Sequence, residues 1–310
     1  MNRRRFLANS LAASAFSIAE LASAEAAAPA AAQSKSRQYY ELRTYSLRSG
    51  RQSQITGQYV SGALIPALNR LGISPVGAFN LTFGPATPTL YLLLPCERLD
   101  TLVNAKLHLR EDQEFLNAAD AFWNAPEDSP AFERVESTLL IAFEGWPQLV
   151  VPPPTAQHGK RLFQLRTYES ASVRDHLRKI KMFHQGEFEI FQRSGFWRVF
   201  FGDALIGPRL PRLTYMVGFS DLKELNDMWA AFFGDPQWKK LTASKEFSFE
   251  PIVSNVTNLI LTPTDYSQIC ASAEYGGANG DCVYSHFSGR GMTPFSISHD
   301  TDSCTASSGE

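Results

Sequence analysis

The sequence is poor in the features that announce most functions. Its 310 residues include only 4 cysteines. Three of these, Cys270, Cys282 and Cys304, crowd into the C-terminal segment at spacings that match no zinc pattern. Cys96, between an apolar run and a helix, reads as a buried inert thiol. Charge of one sign is also scarce. With 29 Lys+Arg against 31 Asp+Glu, there is no basic excess to release counterions from a polyanion, so no nucleic-acid partner is expected. No stretch reaches the roughly 18 uninterrupted apolar residues of a membrane span, which argues against an integral membrane segment. There is no serine nucleophile elbow, Walker loop, dinucleotide fingerprint or Cys-x-x-Cys. Their absence removes the commonest hydrolases, nucleotide enzymes and thiol oxidoreductases.

What charge imbalance there is lies at the two ends. The chain opens Asn2-Arg3-Arg4-Arg5-Phe6-Leu7 and runs through small, weakly apolar residues to Ala22-Ser23-Ala24. A charged start, a modest apolar stretch and an Ala-x-Ala site make a secretory signal. Its paired arginines resemble the twin-arginine type. Residues 1–24 are therefore expected to be removed, leaving an extracytoplasmic, periplasmic protein. At the other end, 270–310 holds few aliphatic residues among many Gly and Ser. Such a segment cannot bury enough surface to offset its ordering entropy, and a disordered tail is expected.

The middle repeats itself. Tyr40-Glu41-Leu42-Arg43-Thr44-Tyr45 recurs as Phe163-Gln164-Leu165-Arg166-Thr167-Tyr168, an offset of 123. The same offset carries Arg70-x-Gly72 onto Arg193-x-Gly195 and Leu99-x-x-Leu102 onto Leu222-x-x-Leu225. A Pro-rich linker at 151–160 separates two copies, 38–150 and 161–267. Each copy reads strand, helix, two β-rich runs, helix, strand. That order is the split βαβ, or ferredoxin-like, unit. Its sheet has helices on one face and needs a cover for the other, which a second copy supplies. The expected fold is α+β: two tandem βαββαβ repeats forming a barrel-type pseudodimer within one chain.

Several of these motifs resemble the NIPSNAP family. They are the tandem Leu-Arg-Thr-Tyr starts, Glu136-Ser137-Thr138-Leu139-Leu140 with Gly145-Trp146-Pro147, Met182-Phe183-x-Gln185-Gly186-Glu187, Gly207-Pro208-x-x-Pro211 and Asp235-Pro236-x-Trp238-Lys239. The resemblance covers roughly 38–267 and implies the dimeric α/β-barrel superfamily. That superfamily includes haem-degrading monooxygenases, dye-decolourising peroxidases and small isomerases. The NIPSNAP family has no settled chemistry, so the resemblance implies a fold more than a reaction.

Candidate chemistry concentrates in the second copy. On a helix spanning Val173–Ser194, Val173, Leu177, Ile180 and Phe191 share one face with His184 and Glu187. Ionisable groups on a core stripe are costly unless paired or used. Positions three apart can touch, so His184 and Glu187 are read as an acid–base couple, Glu187 as base. The competing reading is that Glu187 merely satisfies the core. In the first strands the apolar set (Tyr40, Leu42, Thr44; Phe163, Leu165, Thr167) is expected to face the helices. The polar set would then face the opposing sheet, with Arg43 and Arg166 near the pseudo-twofold axis as a polar seam or an anion site. Trp197, Tyr215 and Trp229 belong to an aromatic group that could line a pocket for a flat ligand or form core. Tyr168 joins them on the ligand side.

The leading expectation is an exported protein that binds a small, apolar or aromatic molecule with these residues. No resident metal or cofactor is implied by the spacing of the histidines, although by family analogy His184 could ligate haem. The alternative is a non-enzymatic scaffold for self-association or partner docking. Its surface would be the charged insertion Lys106–Ala118, which breaks the internal symmetry.

Overall fold

The structure is a computed structural model that describes residues 36–48, 50–152 and 161–269. The leader, linker and tail expectations at 1–24, 153–160 and 270–310 lie outside the described residues. Among the described residues the first half contains β1 (Tyr39–Ser46), α1 (Arg51–Tyr59), a π turn (Val60–Leu64), α2 (Ile65–Arg70), β2 (Gly77–Phe83) and β3 (Thr89–Cys96). It continues with α3 (Leu99–Leu109), α4 (Gln113–Trp123) and β4 (Arg134–Ala142). The second half contains β5 (Leu162–Glu169), α5 (Val173–Met182), a π turn (Phe183–Glu187), α6 (Phe188–Arg193), β6 (Trp197–Ile206) and β7 (Arg212–Phe219). It ends with α7 (Leu222–Gly234), α8 (Pro236–Ala243), α9 (Phe249–Ile252) and β8 (Asn255–Pro263).

The strands close into one antiparallel barrel in the order β1-β3-β2-β8-β5-β7-β6-β4. Each half contributes the ferredoxin-like order, β4-β1-β3-β2 and β8-β5-β7-β6. The β2–β8 and β4–β6 pairings join them at both seams. Closure leaves no sheet edge open to a foreign strand. The repeat offset of 123 holds in three dimensions. Arg43 lies opposite Leu92 through β3, and Arg166 lies opposite Tyr215 at the same place in β7. The π turn also recurs at that offset, Val60–Leu64 onto Phe183–Glu187.

Side-chain alternation in β1 and β5 runs opposite to the sequence expectation. Tyr40, Phe163 and Leu165 point into the barrel with Phe79, Leu93, Leu140, Phe200 and Met216. Phe79 meets Phe163 edge-on at 5.0 Å, and Tyr40 meets Phe200 at 5.1 Å, each pair joining the two halves. The alternate set turns to the helices, where Tyr45 and Tyr168 enter the two helix–sheet cores. The barrel interior takes the more apolar set, although Arg212 and Thr138 share its face and hydrogen-bond to each other at 2.6 Å. The helix layer tolerates tyrosine and arginine because their long, partly apolar side chains pack while their polar tips find partners. Arg43 and Arg166 thus do not meet at the pseudo-twofold axis.

The helical segment after β3 breaks at Arg110–Asp112 into α3 and α4. There the Asp112 carboxylate accepts the Phe115 N–H at 3.0 Å and caps α4. The charged insertion is tied back to its own half, since Arg70 pairs with Asp112 at 2.5 Å and Glu114 at 3.0 Å. No helix among the described residues is long and apolar enough to cross a membrane.

Candidate functional site

Helix α5 begins at Ser172, whose hydroxyl accepts the Asp175 N–H at 3.1 Å. Its buried face is not the aliphatic one. Val173 and Leu177 are 64% and 58% exposed, whereas His176, Lys179 and Met182 are buried against the sheet. The π turn then changes the phase. One extra residue in the turn rotates everything after it by about 100° relative to a continuous α-helix. Glu187 and Phe191, which a regular helix would leave on the Val173–Leu177–His184 stripe, therefore swing into the core, and His184 stays exposed.

The expected His184–Glu187 couple is consequently not formed. The Gly145 N–H donates to His184 Nε2 at 3.0 Å, and His184 Nδ1 faces the Ile180 carbonyl at 2.9 Å. That arrangement fixes a tautomer that donates from Nδ1 and spends both nitrogens on backbone. It ties the loop after β4 to the second-half helix. His184 has no nitrogen left for iron, so the residues present do not fit haem ligation at this position. No group of three or more His, Cys, Asp or Glu among the described residues could hold a metal ion.

Glu187 instead ion-pairs with Lys179, both charged ends enclosed. Lys179 is 1% exposed and Glu187 2%. The Lys179 ammonium lies over Phe183 at 4.8 Å, Phe249 at 5.1 Å, Tyr168 at 5.4 Å and Trp238 at 5.6 Å, an aromatic surround that suits a cation. Burial pushes the Glu187 carboxyl above its ordinary range, and Lys179 and then Arg166 partly oppose that rise.

Around this pair the second-half sheet presents more polar groups. Tyr168 and Tyr215 share a hydroxyl hydrogen bond of 2.8 Å, and burial holds the Tyr215 phenol well above its ordinary pKa. Tyr215 thus remains protonated across any physiological pH. His176 Nε2 lies 2.7 Å from Asp203 Oδ1 on β6, while His176 Nδ1 is buried without a hydrogen-bond partner. Arg166 sits 4.3 Å over Trp229 and 5.3 Å over Tyr168. Trp229 donates from Nε1 to Gln164 Oε1 at 2.7 Å.

The structure thus brings Glu187, Arg166, Tyr168, Tyr215 and Trp229 into one helix–sheet layer. Arg43 belongs to the first half's layer, where it pairs with Glu41 at 2.7 Å. Trp197 lies on the other face of the sheet, beside Gly218 and Phe163, with Arg161 over its ring at 4.7 Å. Sequence reading missed His176, Lys179 and Asp203. Comparison of the two copies would have found them. At the equivalents of His176, Lys179, Glu187, Asp203 and Tyr215 the first copy has Ser53, Thr56, Leu64, Asn80 and Leu92.

The Lys179–Glu187 end of this layer is enclosed, whereas Arg166 is half-buried and Asn258 beside it is exposed. A surface groove of about 600 Å³ runs over the π turn and α8, lined by Gln185, Gln237, Leu241 and Phe247, and it does not reach Glu187.

Among solved structures, 96 chains match. A protein of Fusobacterium nucleatum provisionally named a monooxygenase is 9% identical, covering 74% of this chain and 93% of its own, with a TM-score of 0.49. A mutant chlorite dismutase from Candidatus Nitrospira defluvii is also 9% identical, covering 75% and 93%, with a TM-score of 0.44. A NIPSNAP family protein of unknown function from Agrobacterium tumefaciens is 18% identical, covering 37% of this chain and 97% of its own, with a TM-score of 0.33. No curated protein matches. The NIPSNAP family model matches twice, at residues 40–144 and 163–268, one copy per half of the barrel. The chain therefore belongs to the NIPSNAP family, as a tandem of two family repeats closed into a single barrel.

Proposed function

We propose that the second half binds a small, largely apolar or aromatic molecule between its sheet and its helices, and that the first half serves as scaffold. One observation carries this reading. Two copies of the same unit share strand register and the π turn, yet only the second has placed Lys179, Glu187, His176, Asp203 and Tyr215 in the helix–sheet layer. The first copy builds the same architecture with Thr56, Leu64, Ser53, Asn80 and Leu92 at those places, so the unit does not need the ionisable groups. Burying a charged pair is expensive, and well-packed apolar residues commonly stabilise as well or better. Titratable groups retained at such a cost, with a carboxyl displaced upward, are what a site for proton transfer requires.

The residues divide the work. Glu187, whose carboxyl burial pushes above its ordinary range, is the acid–base group, and Lys179 holds its position and charge. Tyr215 and Tyr168, which share one hydrogen bond, supply the single hydroxyl donor that bond leaves free. His176, fixed by Asp203, is a second candidate base through the Nδ1 lone pair. The corresponding reaction class is proton transfer, as in an isomerisation or a cofactor-free oxygenation. We carry the export reading of the N-terminal segment as part of the same proposal, which puts the ligand outside the cytoplasm.

A screen of small aromatic and apolar fragments by ligand-observed NMR on the purified protein tests the reading. It predicts hits that are lost in K179M/E187L and kept in E41Q, the matching first-half change. Hits unaffected by the first variant, or none at all, would count against it.

A further inference from the structure

The two halves hold the same arginine in different company. In the first half, Arg43 donates from Nε to Glu41 Oε1 at 2.7 Å and from Nη2 to Oε2 at 3.0 Å, a two-point fork on one carboxylate. The Ser137 hydroxyl donates to Oε1 at 2.8 Å. The strand register transfers this arrangement to the second half. Arg43 lies opposite Ser137 and Arg166 lies opposite Asn258, and the position of Glu41 is taken by Gln164.

That exchange of carboxylate for amide removes the anion. Gln164 Oε1 accepts from Trp229, and its Nε2 faces Asn258 Oδ1 at 3.5 Å. Arg166 forms no ion pair among the described residues, and its Nε is buried with no acceptor. Glu187 and Asp203, acids on this side of the sheet, are engaged by Lys179 and His176. The guanidinium remains charged at any physiological pH and lies over the rings of Trp229 and Tyr168, with the Tyr168 hydroxyl and the Lys179-paired Glu187 carboxylate near enough to support its charge. It is not sealed in. Arg166 is half-buried, and Asn258 beside it is exposed. Phe233, itself exposed, stacks on Trp229 at 5.3 Å and 22°.

We propose that Arg166 anchors the carboxylate of a small aromatic or apolar acid, which takes the place beside Arg166 that Glu41 occupies beside Arg43. Trp229 and Phe233 give its apolar body a surface. The inference rests on the ligand-binding reading above and specifies the chemical class of the ligand. A carboxylate fits better than a larger anion because the twin arginine engages one carboxylate through both oxygens with no third oxygen to place.

Thermal melts of the full chain at fixed ionic strength, with benzoate, acetate, benzamide, inorganic phosphate or chloride, test it. The wild type should gain stability saturably with benzoate, less with acetate, and not with benzamide, phosphate or chloride. Q164E restores the internal carboxylate. It should melt higher than wild type without additive and bind benzoate about ten- to a hundredfold more weakly. R166Q should lose the benzoate response without the gain in melting temperature. Benzoate and benzamide acting alike, with both effects lost in K179M/E187L, would overturn the carboxylate anchor while leaving a small-molecule site in this layer. A benzoate response that survives in Q164E, an equal response to phosphate, or no wild-type response to benzoate would each overturn the anchor as well.

Discussion

The Lys179–Glu187 pair permits a test in which the fold supplies its own control. K179M removes the ammonium and leaves a carboxyl buried among Phe183, Tyr168, Trp238 and Phe249. Breaking one side of a buried pair costs about 3–5 kcal/mol. Glu187 escapes part of that by protonating, since burial already raises its pKa. E187L leaves the ammonium over aromatic rings that still attract it by about 0.5–2 kcal/mol per face, so its cost should fall at the lower end. The double variant K179M/E187L places an apolar stem where the first copy has Thr56 and puts leucine where it has the fully buried Leu64. It should lie within about 1 kcal/mol of wild type or above it, as apolar replacements of buried pairs commonly do. With each single variant costing about 3 kcal/mol and the double about 1 or less, the coupling energy is then about 5 kcal/mol. Urea denaturation at pH 7, followed by far-ultraviolet circular dichroism, measures all four proteins, with an unchanged slope as the check that only stability moved. A double variant as unstable as the sum of the two singles would refute the reasoning. The pair would then be part of what holds the second half together rather than a feature kept for its chemistry.

Other predictions follow from the same geometry. Because the folded pKa of Glu187 lies above its unfolded value, the native state binds more protons between the two. Glu187's contribution is therefore present below the unfolded pKa and lost as pH rises through the folded one. The wild-type minus E187Q difference in stability should fall with rising pH above about 4.5, and a difference that rises would invert the assignment. H184A removes the acceptor of the Gly145 N–H at a solvent-exposed place, so it should cost about 1 kcal/mol or less and leave ligand affinity unchanged. G145A should cost about 1–3 kcal/mol, because a Cβ there would stand 2.7 Å from the Phe188 ring, and equal melting curves would contradict the contact. Intact mass of protein recovered from an exporting host should lack residues 1–24, and a retained leader in that fraction would contradict export.

The repeat made the fold legible. An offset of 123 in six-residue strand motifs carries over to strand register, to the paired halves of the barrel and to the position of the π turn. Two features of the site were not legible, for physical reasons. In β1 no residue is exposed, because the barrel interior covers one face and the helices the other. Alternation in Tyr40–Tyr45 therefore shows two faces without showing which one meets the helices. A regular 100° wheel through 173–191 groups His184 with Glu187, while the π turn sends one to solvent and the other to the core. Lys179 and His176 were passed over because Val173 and Leu177 suggested an aliphatic buried face. Their burial follows from partners on β6 and at the end of the π turn, Asp203 and Glu187, which no local pattern shows.

The central claim is that the second half's helix–sheet layer is the binding site and the first half's is not. Backbone amide shifts during titration of the isotopically labelled protein with benzoate test it most directly. The account predicts saturable shifts clustered at Gln164, Arg166, Trp229 and Asn258, with Glu41, Arg43 and Ser137 unmoved. Equal shifts in both halves, shifts confined to the first, or none in either would contradict it.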